Sequence, residues 1–264
     1  MNQEEIPLVG GNVSVVVRVG DSVRRTASPW TATVQHFLRY LRSRRFYGVP
    51  RPMGFDEQGR EALSYIEGEV GHYPLADYMW SARTLGMAAR MMRRYHDLSI
   101  DYVPPADAQW QYTYPNRSQH EVICHNDFAP YNMVFYGEKP KALIDWDIAG
   151  PGPRIWDVAY AVYRFVPLSW EEDLEEDLAE LRPNLVNPVV QSMRLRYFCD
   201  AYGLEDRSEL LDMVRARLEH LCEHMTDRAA EGNSAFQAMV DEGHWDLYQR
   251  DIAALESHRS QLRF

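Results

Sequence analysis

The spacing of polar and apolar residues changes twice within the first 66 positions. Val13, Val15, Val17 and Val19 alternate with Ser14, Val16 and Arg18, and Ser22-Val23-Arg24-Arg25 resumes after Gly20-Asp21. Two strands around a Gly-Asp pair predict a tight hairpin. Val34, Phe37, Leu38 and Leu41 then fall on one helical face, with Ser28 and Pro29 ahead of them as start signals. Pro50 and Pro52 break that pattern; a strand over 53–55, a turn at 56–59 and a strand over 62–66 follow. The first 66 residues thus read as a small, mostly antiparallel sheet carrying one helix.

After Gly68 the pattern lengthens. Leu85, Ala89, Met92 and His96 mark a long helix, and residues 101–120, rich in Pro, Tyr, Asp and Gln, read as a loop. Segments 133–135 and 142–144 flank Gly137-Glu138-Lys139-Pro140 as a second hairpin. Beyond residue 155 the chain reads as helical, with one stripe through Val190, Met193, Tyr197 and Ala201 and another through Leu211, Val214, Leu218 and Leu221. Met91, Met92 and Tyr95, like Met193, Tyr197 and Phe198, are expected on core faces, and His96 as a hydrogen-bonded core histidine. Strands segregated from helices predict an α+β chain in two lobes.

Composition narrows the function. At 264 residues, 45% hydrophobic and 25% charged, the chain is long enough for a true core and is not a disordered protein. No apolar run approaches the ~20 residues of a membrane span, and the start MNQEEIPL lacks a basic and apolar leader, so neither membrane insertion nor secretion is expected and a cytoplasmic setting is. Three widely spaced cysteines argue against a disulfide framework and a cysteine zinc site. A net charge of −11 disfavours nucleic acid as a partner. It suits a cationic substrate, although acidity also serves solubility alone.

The chemistry concentrates in His125-Asn126-Asp127-Phe128-Ala129-Pro130-Tyr131-Asn132 and in Leu143-Ile144-Asp145-Trp146-Asp147. An Asp on a tight loop can accept the proton of a substrate hydroxyl, while an Asn carbonyl and a second Asp offer hard oxygen ligands of the kind Mg²⁺ takes. The second hairpin would return Asp145 to the side of Asn132, which makes a base-and-metal site for phosphoryl transfer. The spacing His-x-Asp-x4-Asn is expected by chance roughly 0.02 times in a chain of this composition. Asp147 is either a solvated carboxylate or a group that supports or binds the metal.

These segments, HNDFAPYN followed by ALIDWDIAGPGPRIWDVAYAV, resemble the aminoglycoside phosphotransferase family of small-molecule kinases. The resemblance is sharpest over 122–162. It implies a protein-kinase-like bilobal fold, with a small β-rich nucleotide-binding lobe carrying one helix over 1–67 and a larger, mainly helical catalytic and acceptor-binding lobe over 68–264. It implies Asp127 as catalytic base, Asn132 and Asp145 as Mg²⁺ ligands, ATP or GTP as donor and a small-molecule alcohol as acceptor, with antibiotic resistance as the associated role. His125 would be a scaffold of the loop and Asp157 its anchor from the following helix. Asn126 stands where many members have Gly, and Asn tolerates the left-handed geometry that Gly would supply.

On the nucleotide side, Gly10, Gly11 and Asn12 would cover phosphates. Arg24 is the better-aligned basic residue for them and Arg25 the reserve, with Arg in place of the usual Lys. Val34 stands near the place of the helix Glu that would pair with it, so the usual ion pair looks absent. Ser64, Tyr65 and Ile66 would link the lobes and meet adenine through their backbone. The acidic run over 171–180, with Glu171, Glu172 and Asp173 at its start, is either a solvated face or a seat for a basic acceptor. Two other classes stay open. One is a catalytically silent, nucleotide-binding kinase-like module, favoured by the altered basic and acidic positions. The other is a metal-dependent hydrolase built from the same carboxylates.

Overall fold

The structure, a computed structural model, describes residues 4–8, 16–168 and 185–264. The chain forms two compact units. The first comprises Met1–Tyr73 and Met91–Asp157, the second Pro74–Arg90 and Val158–Phe264.

In the first unit, β1 (Glu5–Pro7), β2 (Val16–Val19), β3 (Ser22–Arg25), β4 (Pro52–Phe55) and β5 (Glu61–Ser64) make an antiparallel sheet in the order β1-β2-β3-β5-β4. Gly20 closes the β2–β3 turn at φ 59°, the positive value that matches the twist of the two strands. Helix α1 (Thr31–Ser43) packs against β4 and buries Val34, Phe37, Leu38 and Leu41 at 1% exposure or less. Phe37 meets Tyr102, Trp110 and Trp146 edge-on, so the irregular segment over 101–120, broken by a 3-10 turn at Arg117–Gln119, supplies core rings.

The remaining strands of this unit frame the loop over 125–132. β7 (Val122–Cys124) pairs with β10 (Gly150–Gly152). β6 (Glu69–Val70) pairs with β8 (Met133–Tyr136), which turns into β9 (Lys139–Leu143). The second hairpin is tighter than the four-residue turn expected: Gly137 and Glu138, at φ 50° and 60°, make it alone, and Lys139 and Pro140 already belong to β9. Two consecutive positive φ values match the twist of the paired strands better than a longer, looser turn.

Two helices pass from one unit to the other, α2 (Ala82–Ser99) and α3 (Arg154–Phe165). The second unit adds α4 (Pro188–Tyr202), α5 (Leu210–Ala230), α6 (Ser234–Asp241) and α7 (His244–His258), and α5 packs against both α6 and α7. Leu211, Val214 and Leu218 on α5 are buried as the periodicity predicts. The stripe expected on α4 is corrected: Met193 is 63% and Tyr197 41% exposed, and the helix buries Gln191, Ser192, Arg194, Leu195, Phe198, Cys199 and Tyr202. Three of those are polar and find partners inside. Gln191 donates to the Pro167 carbonyl, Ser192 to Pro188, and Arg194 to the carbonyls of Trp80 and Phe165. A polar group that keeps its hydrogen bonds can be buried in preference to an apolar one. All three cysteines are buried and free. Among the described residues no helix is long and apolar enough to cross a membrane.

Candidate active site

The loop after β7 is held from behind by one carboxylate. Asp157, in the first turn of α3 and fully buried, accepts the N–H groups of His125 and Asn126, each at 2.8 Å, the Tyr95 hydroxyl, and His96 Nε2 at 3.0 Å. Burial pushes this carboxyl up, but the donors around it outweigh burial and hold it down at about 2. Burial also holds His96 below its ordinary value, so a neutral imidazole donates the Nε2 proton. His96 is therefore a hydrogen-bonded core residue, and the nearby Cys124 donates to the Pro153 carbonyl instead.

Two residues then shape the turn. Asn126 adopts φ 65° and fastens itself by donating Nδ2 to the Ile148 carbonyl at 2.7 Å. His125 is buried and kept neutral by burial. Its Nδ1 accepts the Asp127 N–H at 3.2 Å and its Nε2 lies 3.0 Å from the Ile144 carbonyl, so the proton resides on Nε2. Its ring stands edge-on to Trp146 at 4.5 Å. Both ring nitrogens are thus engaged, one with the loop itself and one with the Ile144 carbonyl beyond β9.

Asp127 is half-buried, and each of its carboxylate oxygens has a donor. Asn132 Nδ2 reaches Oδ2 at 2.7 Å and the Asp127 carbonyl at 3.0 Å; the Tyr131 hydroxyl reaches Oδ1 at 2.6 Å. Because both acceptors near Asn132 are oxygens, its amide nitrogen must face them, which leaves Oδ1 of Asn132 for a cation. The β8–β9 hairpin pairs Met133 with Leu143, and the Ile144 N–H bonds to the Asn132 carbonyl at 2.8 Å. Asp145 is thereby brought beside Asn132. Just past the end of β9, Trp146 is buried and the carboxylates on either side of it both meet Arg25. Asp145 sits at φ 59°, in the left-handed region, and its side chain is 47% exposed. The donors on offer, an amide oxygen and carboxylate oxygens, are those that suit Mg²⁺.

The basic residue that meets them is Arg25. Its Nη1 lies 3.0 Å from Asp145 Oδ1, its Nη2 2.5 Å from Asp147 Oδ1 and its Nε 2.5 Å from Glu61 Oε2. Burial works against the guanidinium charge, but Asp147, Glu61 and Asp145 together raise its pKa above the ordinary arginine value. Burial pushes the Asp147 carboxyl upward; Asp145 and Glu61 add to the push and Arg25 opposes it. Arg24, on the opposite face of β3, lies 3.6 Å from Asp56 and does not reach Asp145. The acidic partner of Arg25 comes from the sheet. Glu61 is its direct cross-strand neighbour in the β3–β5 register, and Gln35 of α1 supports Glu61 Oε1 from 3.2 Å. Gln35 follows Val34, so the helix contributes an amide where an acid was sought. Along β3, Arg25 shares a face with Val23 and Arg24 with Ser22.

Comparison with known proteins bears on what such a site belongs to. Residues 80–194 match the Phosphotransferase enzyme family. The Trifolitoxin immunity protein of Rhizobium leguminosarum bv. trifolii is 35% identical over 206 residues, 76% of this chain and 75% of that protein. The chain belongs to the phosphotransferase enzyme family. Its α+β fold is protein-kinase-like and is shared with solved small-molecule kinases. An amicoumacin kinase, in complex with AMP-PNP, Ca²⁺ and Ami, superposes with a TM-score of 0.66 at 12% identity, covering 92% of this chain and 89% of that one. A Plasmodium vivax ethanolamine kinase does so with a TM-score of 0.64 at 11% identity, covering 98% and 83%. Membership in this family supports a small-molecule phosphotransferase as the coarse function.

The other sequence-predicted residues of this phosphotransferase-family chain are placed as follows. Ser64 spends its N–H on the Arg51 carbonyl and its Oγ on the Arg51 N–H, both at 2.9 Å. The Tyr65 N–H goes to the Asp21 carbonyl at 2.8 Å, and its ring lies under Arg18 at 3.9 Å. Among the described residues no backbone hydrogen bond uses Ile66. Gly10, Gly11 and Asn12, and likewise Glu171, Glu172 and Asp173, lie outside the described residues.

Proposed function

We propose that this chain transfers the γ-phosphoryl group of ATP or GTP to a hydroxyl of a small molecule. The observation that carries the reading is the convergence of Asp127, Asn132, Asp145 and Arg25 around one loop and one hairpin end, with the spacing between them set by backbone hydrogen bonds. Asp127 orients the acceptor hydroxyl and takes its proton through a carboxylate oxygen. Arg25, held by Glu61, presents two N–H donors to the phosphate tail and is the basic residue of the site in place of Arg24. Asn132 Oδ1 and Asp145 would hold Mg²⁺, which supplies charge neutralisation at the phosphates when bound. The backbone N–H and C=O of Ile66, which no backbone hydrogen bond among the described residues uses, would offer the donor and acceptor that an adenine edge requires. Residues 1–67 would serve the nucleotide and residues 68–264 the chemistry and acceptor. The immunity relative favours a toxin as acceptor, with inactivation of that toxin as the role.

A second reading has its own support. Arg25 already bonds Asp145 and Asp147, which draws charge from a metal-holding carboxylate. A nucleotide-binding module without turnover would tolerate that; an enzyme requires Arg25 to shift toward the phosphates. ADP release with Mg²⁺ and ATP or GTP, over a panel of aminoglycosides, choline, ethanolamine and homoserine, separates the two. Acceptor-dependent release that vanishes in Asp127→Asn supports the enzyme. Nucleotide binding with no release on any acceptor supports the silent module.

A further inference from the structure

We infer that Tyr131 is a positioning residue that withholds Asp127 from water until an acceptor hydroxyl takes its place, an inference that rests on the phosphotransferase reading above. The two oxygens of Asp127 are held differently. Oδ2 is bonded by Asn132, which is buried and also grips the Asp127 carbonyl, so that side of the carboxylate belongs to the scaffold. Oδ1 is bonded at 2.6 Å by the hydroxyl of Tyr131, a half-buried residue. A base must receive the acceptor proton on an accessible oxygen, and here that oxygen carries a hydroxyl of the chain itself. The phenol stands as the acceptor hydroxyl would stand.

Local packing keeps the phenol there. Tyr131 lies within the 3-10 turn Pro130–Asn132, whose Pro130 carbonyl accepts the Gly71 N–H at 3.2 Å. A Cβ on residue 71 would come within 2.5 Å of that carbonyl oxygen, so only glycine permits the approach. The β6–β8 pairing of Glu69 with Phe135 and Val70 with Val134 continues this contact along the chain. Two residues beyond Gly71, the Tyr73 ring comes to 6.5 Å from the Tyr131 ring at 57°. The aromatic pair limits the swing of Tyr131, and its hydroxyl remains on Asp127 unless a better-held hydroxyl displaces it.

Without an acceptor, the competing reaction is hydrolysis. A water oxygen attacks the γ-phosphorus, the bond from that phosphorus to the β–γ bridging oxygen breaks, and the water proton passes to Asp127 Oδ1, giving ADP and inorganic phosphate. Tyr131 occupies an acceptor position on the oxygen that this water needs. The test measures phosphate release from ATP and from GTP with excess Mg²⁺ and no acceptor, in the wild type, Tyr131→Phe, Asp127→Asn and the double variant, with nucleotide affinity measured in each. Removing one hydrogen bond to a charged group should raise hydrolysis about tenfold in Tyr131→Phe. Nucleotide affinity should not change, and the rise should disappear in the double variant. A loss of folding or of loop order cannot produce a gain. Hydrolysis that is unchanged or lower in Tyr131→Phe, with nucleotide bound, overturns the proposal. So does a rise that survives Asp127→Asn. Failure of the wild type to bind either nucleotide would instead overturn the phosphotransferase reading, and the gate would fall with it.

Discussion

Replacing Glu61 by Gln would remove a single negative charge from a buried cluster and leave the shape of the side chain intact. Arg25 Nε reaches one oxygen of Glu61 and Gln35 Nε2 the other, and both of these neighbours are donors. A glutamine at position 61 has one acceptor oxygen and one NH₂, so one neighbour must face a donor. Gln35 cannot turn its amide over to help, because its Nε2 also donates to the Gly54 carbonyl at 2.9 Å and its Oε1 accepts from Arg39. Stripping one partner from a buried pair costs about 3–5 kcal/mol. Arg25 keeps Asp145 and Asp147, which are partly exposed, so the expected loss is smaller, about 2–3 kcal/mol. For a chain of this size that lowers Tm by roughly 5–10 °C. Thermal unfolding followed by circular dichroism reads the shift, with Glu5→Gln as the control because the Glu5–Arg60 pair is open to solvent and should leave Tm where it was. Nucleotide affinity should fall in parallel, since a guanidinium freed from Glu61 leans further onto Asp145 and Asp147. A Tm indistinguishable from the control, together with unchanged nucleotide affinity, would refute the idea that Glu61 replaces the absent helix acid.

Three further outcomes are expected. Asp127→Asn should lower acceptor phosphorylation at least about a hundredfold while nucleotide still binds, as measured by ADP release and calorimetry; turnover at the wild-type rate would remove Asp127 from the role of base. Arg25→Met should weaken nucleotide binding about tenfold and Arg24→Met less than about twofold; the reverse order would mean that the wrong face of β3 has been assigned to the site. Asp157 sits at about 2 in the fold against an ordinary 3.8, so its stabilisation is present above pH 4 and is lost as pH falls toward 2, an effect of about 2 kcal/mol. The gap in urea midpoint between the wild type and Asp157→Asn should close over that interval, and a gap that stays constant would mean that the donors around Asp157 do not hold its carboxyl down.

The parts of this protein that were legible in the sequence are those that rest on local chemistry. The Gly20 turn, the α1 face through Val34 and Leu41, and the hairpin that returns Asp145 to Asn132 each follow from residues within about a dozen positions of one another, where the backbone geometry of a turn or helix leaves few choices. The left-handed Asn126 belongs here too, since few residues other than Gly take that geometry as readily. Tertiary structure alone decided which arginine enters the site. Arg24 and Arg25 are chemically equal neighbours, and the face that each occupies depends on the register between β3 and β5, strands 36 residues apart at Arg25 and Glu61. The acid that holds Arg25 was hidden for the same reason, because a cross-strand partner leaves no periodic mark in the sequence. On α4 the apolar stripe pointed the wrong way, since Gln191 and Arg194 find hydrogen-bond acceptors only once Phe165, Pro167 and Trp80 are folded beside them. Sequence by itself determined the local elements and the family's reactive loop, because those are set by short-range sterics and spacing. The choice among chemically equivalent side chains fell to long-range pairing, whose energy exists only after the chain has folded.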